Sequence, residues 1–223
     1  MGEIVRFENV KKTFQDGDET IEALKEASFS INSGELIAII GPSGSGKSTL
    51  LTMMGGLQKP SSGKIYFNGD DITSIGEKER NNLRFDKIGF ILQASNLVPY
   101  LSIEEQFELV DKFKSKKFDR DRAKNLMDKF DIYKRKNQYP GDLSGGERQR
   151  AAIARALYPE PSLILADEPT ASLDTERAMK VVEILKDITK GTDRTTIMVT
   201  HDNRLLEYCD RVFRIVDGKL TEE

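Results

Sequence analysis

The chain predicts an α/β fold: a mainly parallel sheet core flanked by helices, with an antiparallel β part near the N-terminus and an inserted helical subdomain. Three observations predict it. Short apolar runs that suit buried parallel strands, at residues 36–40, 163–166, 195–200 and 212–216, alternate with stretches of helical periodicity. Residues 3–14 and 27–31 instead alternate apolar with polar, the signature of half-exposed strands. From Ala94 to about Asp142 the pattern turns wholly helical. The expected division is therefore one domain, with 1–93 and 143–223 as core and antiparallel β part and 94–142 as helical subdomain.

Taken in order, Val5, Phe7 and Val10 mark a strand that ends at Phe14, before a polar loop over 15–20. The second alternating strand, 27–31, turns at Ser33-Gly34 into the apolar run 36–40. Directly after that run stand Gly41, Pro42, Ser43, Gly44, Ser45, Gly46, Lys47, Ser48 and Thr49, which fit the phosphate-loop pattern G-x-x-x-x-G-K-[ST]. Leu50, Leu51, Met53 and Met54 then form the apolar face of a helix ending near Gly55-Gly56. Strand, glycine-rich turn and helix is the context the mechanism needs. The glycines let consecutive N–H groups point at a phosphate, the helix N-terminus adds its positive dipole end, and Lys47 adds a full charge. A nucleoside triphosphate site follows.

Residues 64–67 read as a strand closed by the turn pair Asn68-Gly69, and 88–92 as a short apolar strand that hands over to Gln93. Ser102 and Glu105 form a capping box, with Ile103, Phe107, Val110 and Phe113 following at helical spacing. A second helix presents Ala123, Leu126, Met127 and Phe130. The basic stretch 112–117 between them reads as a solvated helix end, or alternatively as a surface facing a membrane or partner. Ala178, Val181, Leu185 and Ile188 line one face of a later helix that stops at Gly191.

Composition narrows the function classes. A hydrophobic content of 38% and a charged content of 32% fit a soluble globular domain. No apolar run approaches the roughly 18 residues of a bilayer span. The N-terminus lacks a signal peptide's regions, and Arg6 spoils the myristoylation pattern that Met1-Gly2 begins. Cys209 is the single cysteine, so no internal disulfide forms, as expected in a reducing cytosol. A formal net charge of −3 argues against nucleic acid as a partner.

In open α/β sheets ligands bind beyond the carboxyl ends of the strands. Four apolar strands deliver polar groups there: the phosphate loop, Gln93, Asp167 with Glu168, and His201. Phosphoryl-transfer chemistry assigns their roles. Ser48 and Asp167, joined by the Gln93 amide, supply the hard oxygen ligands that Mg²⁺ prefers. Glu168 orients or deprotonates water attacking the γ-phosphate, and His201 contacts that phosphate or holds the water. A free carboxylate beside the metal site favours hydrolysis over transfer to an acceptor.

A second glycine cluster, Leu143, Ser144, Gly145, Gly146 and Glu147, opens the next helix with a capping box. Two glycines in a first turn cost roughly 1 kcal/mol each relative to alanine. They make sense where something anionic approaches the backbone N–H groups.

The phosphate loop, Gln93, 143–147, 163–168, 172–174 and His201 stand in the order of an ABC-type ATPase, and the chain resembles that family along essentially its whole length. The resemblance implies an ATP-binding and ATP-hydrolysing subunit that powers an ABC membrane transporter as a head-to-tail ATP-sandwich homodimer. It implies that Ser144, Gly145 and Gly146 grip the γ-phosphate held by the other protomer's loop, and that Asp174 couples the two sites. It places Phe14 where an aromatic stacks on adenine, an integral-membrane permease against 94–142, and the protein on the cytoplasmic face of the membrane. Within the family, residues 96–102, 139–140 and 166–170 are similar to the lipoprotein-release, macrolide-efflux and antimicrobial-peptide-export branch. Leu92 and Gln106 depart from it, standing where Phe and Asn are usual. The alternative is an ABC ATPase of a non-transporting complex, a cell-division signalling partner rather than a repair or translation protein. Those last two would need a long coiled-coil insertion or a second ATPase domain.

Overall fold

The computed structural model describes residues 2–17 and 19–223; Met1 of the Met1-Gly2 start and Asp18 of the 15–20 loop lie outside the described residues. The chain opens with β1 (Glu3–Asp16), β2 (Glu19–Asn32) and β3 (Leu36–Ile40), then α1 (Lys47–Met54), β4 (Ser62–Phe67) and β5 (Asp70–Asp71). Next come α2 (Glu77–Lys87), β6 (Ile88–Ile91), α3 (Ile103–Phe113), α4 (Arg120–Lys129) and α5 (Gly145–Leu157). The chain closes with β7 (Leu163–Asp167), α6 (Thr175–Thr189), β8 (Thr195–Val199), β9 (Arg211–Val216) and β10 (Lys219–Glu222).

Two sheets result. One has the order β10-β9-β3-β8-β7-β6, parallel throughout except for the antiparallel edge strand β10. The other is antiparallel, in the order β2-β1-β4-β5. Because successive strand residues point to opposite faces, the parallel sheet splits the core in two. Ile37, Ile39, Leu163, Leu165, Ile197 and Val199 pack with α1 and the antiparallel sheet. Leu36, Ile164, Ala166 and Met198 pack with α3, α4, α5 and α6 on the other side.

Two expectations need correction, and one helix, α2, lies where none is expected. Most of the 15–20 stretch is paired hairpin: Gln15 faces Thr20 and Asp16 faces Glu19. Register shifts around Val10 and Lys12 break the period of two that reveals a strand, and both edges there are polar. The helix α2 carries no apolar stripe; Arg80 is its one buried residue, so periodicity gave nothing to find. In α3, Ile103 and Phe107 are fully buried, but Val110 is half-buried and Phe113 is 70% exposed. Gln106 and Asp111 take the inner positions instead, and both are hydrogen-bonded there. Buried polar groups are tolerated when so satisfied.

The helical region is tied to α5 by aromatic and polar contacts. Phe107 meets Tyr158 edge to face, with ring centroids 5.4 Å apart. The Tyr158 hydroxyl donates to Asp111, and the Asp119 N–H reaches both groups, at 3.1 Å from Asp111 Oδ2 and 3.2 Å from Tyr158 Oη. Burial and the adjacent Asp111 push the phenol well above its usual range. Phe107→Ala should destabilise the protein by about 3–5 kcal/mol through the cavity it leaves. A lower urea midpoint at constant slope is the expected reading; an unchanged midpoint would remove Phe107 from the core.

Candidate active site

β3 is buried along all five residues and aims the phosphate loop at the rim of the sheet. Two of the loop's glycines are sterically required. At Gly41 (φ 151°) a Cβ would lie 2.0 Å from the Ile215 carbonyl oxygen; at Gly46 (φ 106°) it would lie 2.1 Å from that of Ala23. The loop is therefore clamped between β2 and β9 before it opens α1. Lys47 Nζ donates to the carbonyls of Gly41 at 2.9 Å and Pro42 at 2.7 Å, holding its cation over the loop. Ser48 Oγ, at the first turn of α1, donates to Asp167 Oδ2 at 2.9 Å.

An open cleft of about 970 Å³ collects most of the predicted site: Phe14, Gly41, Ser43, Gly44, Gly46, Lys47, Ser48, Thr49, Gln93, Asp167, Glu168 and His201. Pro42 and Ser45 are absent from its walls; Ser45 is buried, with an unpartnered hydroxyl. Asp167 ends β7, and Glu168 turns off the strand in the left-handed region at φ 49°. That conformation is uncommon for a residue with a Cβ and clusters at functional sites. Its N–H is held by the Val199 carbonyl at 3.0 Å, which locks the turn to β8. β8 delivers His201, whose Nδ1 lies 2.8 Å from Glu168 Oε2; the Glu168 side chain is 15% exposed and that of His201 74%. The carboxylate is thus walled in while the far side of the imidazole faces the cleft.

Phe14 is 38% exposed, with Lys12 Nζ 4.8 Å from its ring centroid and anchored on the Lys59 carbonyl at 2.9 Å. Sequence reasoning missed Lys12 beside Phe14, and it missed the cleft-lining residues Ile21, Asp217 and Gly218. They reach it through hairpins whose pairing is not visible in local spacing.

The second glycine cluster lies elsewhere. None of Leu143, Ser144, Gly145, Gly146, Glu147 or Asp174 lines the cleft. Leu143 is buried, whereas Ser144 and Gly145 are exposed at the start of α5. Ser144 Oγ accepts from the Glu147 N–H at 3.3 Å, the Ser144 N–H donates to Glu147 Oε2 at 2.9 Å, and Arg135 Nε donates to Glu147 Oε1 at 2.8 Å. The Ser144 N–H, its hydroxyl and Arg135 together hold the Glu147 carboxyl down to about 2. A depressed carboxyl pKa stabilises the fold above the ordinary carboxylate range, and that contribution disappears as pH falls through the folded value. The cap is therefore intact at every physiological pH. Asp174 caps α6 in the same way, accepting from the Arg177 N–H at 2.9 Å, and that bond holds its carboxyl below the usual range.

A sequence model described as ABC transporter matches residues 24–171. This chain belongs to the ABC transporter family. As the ATP-binding subunit of an ABC transporter it is an ATPase. The putative hemin import ATP-binding protein HrtA of Staphylococcus haemolyticus is 47% identical, over 97% of this ABC subunit and 98% of that protein. The protein of the same name from Staphylococcus epidermidis is 44% identical, over 99% of each chain. Among solved structures, the dimeric post-hydrolysis state of the ATP-binding cassette MJ0796, bound to ADP and Pi, superposes with a TM-score of 0.93. It is 38% identical, with 99% of this chain and 98% of that one covered.

Proposed function

We propose that this ATPase drives a membrane transporter by closing head to tail with a second copy around two ATP molecules. One observation carries the reading. The cleft gathers the phosphate loop, Gln93, Asp167, Glu168 and His201 on one side only, while the exposed N-terminus of α5 offers anion-binding N–H groups away from it. Each copy therefore brings half a site and the lid of its partner's, and Asp174 lies beside that lid's helix. The dimeric MJ0796 cassette with ADP and Pi supports pairing of two copies.

The donor set fits Mg²⁺: Ser48 Oγ and Asp167 Oδ2 sit 2.9 Å apart, with the Gln93 amide in the same cleft, and all are hard ligands. Ser48, Asp167 and Gln93 would hold the ion, which when bound neutralises charge on the β- and γ-phosphates. Residues 41–49 cradle the triphosphate and Phe14 stacks on the adenine. Glu168 then accepts a proton from water as its oxygen attacks the γ-phosphorus and the bond to the ADP oxygen breaks. His201 orients Glu168 through Nδ1 and presents its other nitrogen to the γ-phosphate.

No helix among the described residues is long and apolar enough to cross a membrane, so attachment to the cytoplasmic face would run through a permease. An open groove of about 570 Å³ between α2, α3 and α5, lined by Leu57, Phe85, Ile88, Phe90, Val110 and Phe113, offers the docking surface. Phe113 and Phe85 stand exposed there in an edge-on pair, with centroids 6.0 Å apart. The basic stretch at its rim is partly neutralised, because Lys114 Nζ reaches Asp86 at 3.4 Å. The relatives' names point to hemin as cargo and to import, whereas the likeness of residues 96–102, 139–140 and 166–170 to export-type members favours outward movement. ATP-dependent hemin accumulation in inside-out vesicles holding the complete transporter is expected. Accumulation solely in right-side-out vesicles loaded with ATP would reverse the direction.

The dimer reading has a kinetic test. With saturating Mg-ATP, ATPase activity per milligram should rise with protein concentration and plateau as dimers fill. Constant specific activity from nanomolar to micromolar protein, with a monomer mass throughout, would sink it.

A further inference from the structure

The helix α5 does more than present Ser144, Gly145 and Gly146. Two of its side chains reach back to the segment that follows β6. Gln149 is 2% exposed, and its Nε2 donates to the Leu92 carbonyl at 3.1 Å, one peptide unit before Gln93. β6 is the outermost strand of its sheet, so that carbonyl lies at an edge where no further strand pairs with it. One turn and a half further along, Arg155 Nη1 donates to the Asn96 carbonyl at 3.0 Å and approaches Gln106 Oε1 at 3.4 Å. Gln106, the residue that departs from the family's usual Asn, is 1% exposed and staples the same segment. Its Nε2 donates to the carbonyls of Val98 at 2.8 Å and Leu101 at 3.1 Å, and its Oε1 accepts from the Val98 N–H at 3.1 Å. Residues 92–101 contain no helix or strand beyond Ile91, and these bonds hold them in place.

We propose that Gln149 is a positioning residue that couples the two ATP sites: through Leu92 it ties the placement of Gln93 in one site to the seating of Ser144, Gly145 and Gly146 on the nucleotide of the other. Gln93 lies in the cleft of its own chain, whereas the α5 N-terminus belongs, on the head-to-tail reading on which this inference rests, to the partner's site. A helix moves as a rigid body, and the Gln149 amide sits little more than one turn beyond Ser144 with a direct bond to the Leu92 carbonyl, next to Gln93. A shift of α5 onto the partner's γ-phosphate is transmitted to Gln93 across the single peptide unit that joins it to Leu92. Arg155 extends the same rigid link to Asn96. Coupling of this kind needs a physical connection whose arrangement both sites bias.

Gln149→Met keeps the length and bulk of the side chain and removes the amide donor. Steady-state hydrolysis by the intact protein over a range of Mg-ATP concentrations should show kcat about five- to tenfold lower, the change that one net hydrogen bond corresponds to. The KM should stay within about twofold and the Hill coefficient should fall toward 1. Arg155→Met should shift the same two quantities in the same direction, and it provides the test if Gln149→Met is recovered unfolded. A parent protein that is monomeric and non-cooperative would overturn the dimer reading itself. A cooperative parent whose Gln149→Met variant keeps its Hill coefficient, whatever its kcat, would overturn the coupling role alone. A raised KM with unchanged kcat would do the same, by making Gln149 a binding residue.

Discussion

Glu168→Gln should abolish turnover while leaving ATP binding intact, and the stalled protein should accumulate as an ATP-bound dimer. The substitution preserves the shape of the side chain and removes its capacity to take a proton. A positioned general base contributes about 10²–10⁴-fold to a rate, so hydrolysis should fall by at least two orders of magnitude. The geometry makes Glu168 the carboxylate to change rather than Asp167, because Asp167 is already engaged by Ser48 Oγ at 2.9 Å. Glu168 is instead turned out of the strand by its left-handed backbone and steadied by His201. Glutamine can still accept a hydrogen bond from His201, so the local structure should survive. Equilibrium binding of a fluorescent ATP analogue, mass by light scattering with and without Mg-ATP, and phosphate release together decide the matter. A variant that remains monomeric and hydrolyses ATP freely would end the general-base assignment.

The parts of this site that are local in sequence are legible from the order of the amino acids alone. The phosphate loop and the polar residues after β6, β7 and β8 are each set by a strand that ends where chemistry begins. Apolar runs of three to five residues mark those strands plainly. The parts built by pairing over long distances are not legible in that way. Asp217 and Gly218 line the cleft because pairing sets β9 beside β3, and the Gly218 N–H then bonds to the Ser45 carbonyl of the phosphate loop at 3.2 Å. Polar helices such as α2 leave no periodic trace, yet α2 forms one wall of the apolar groove through Phe85. The expected boundary at 142–143 is also less sharp physically than in sequence. Ile103, Phe107, Ala123 and Met127 share one core with Ala151 and Ile153 of α5, so the helical region and the helix after it pack as a unit. That shared core lets a residue of α5 govern the segment after β6.

Ser144→Arg should separate binding from hydrolysis at the other edge of the site. Ser144 contributes nothing to its own chain's cleft, so a monomer carrying arginine should bind ATP with an unchanged Kd. What it loses locally is a cap: the Ser144 hydroxyl no longer accepts from the Glu147 N–H. That loss costs about 0.5–2 kcal/mol, and a cation beside the helix N-terminus adds roughly 0.3–1 kcal/mol. Neither is enough to unfold a domain whose stability is about 5–15 kcal/mol. In the dimer the consequences are larger. A long, charged side chain would occupy the space in which the partner's γ-phosphate meets the α5 N–H groups, holding the two copies apart. ATP-dependent dimerisation should disappear and hydrolysis should fall to the residual rate of a lone protomer, at least about a hundredfold lower if the trans N–H groups act as oxyanion donors do elsewhere. Ser144→Ala is the control, since it removes the cap without adding bulk or charge; it should melt slightly early yet still dimerise. If Ser144→Arg instead lost ATP binding as a monomer, the N-terminus of α5 would have to serve its own chain's nucleotide, and the lid would belong to the protomer that carries it.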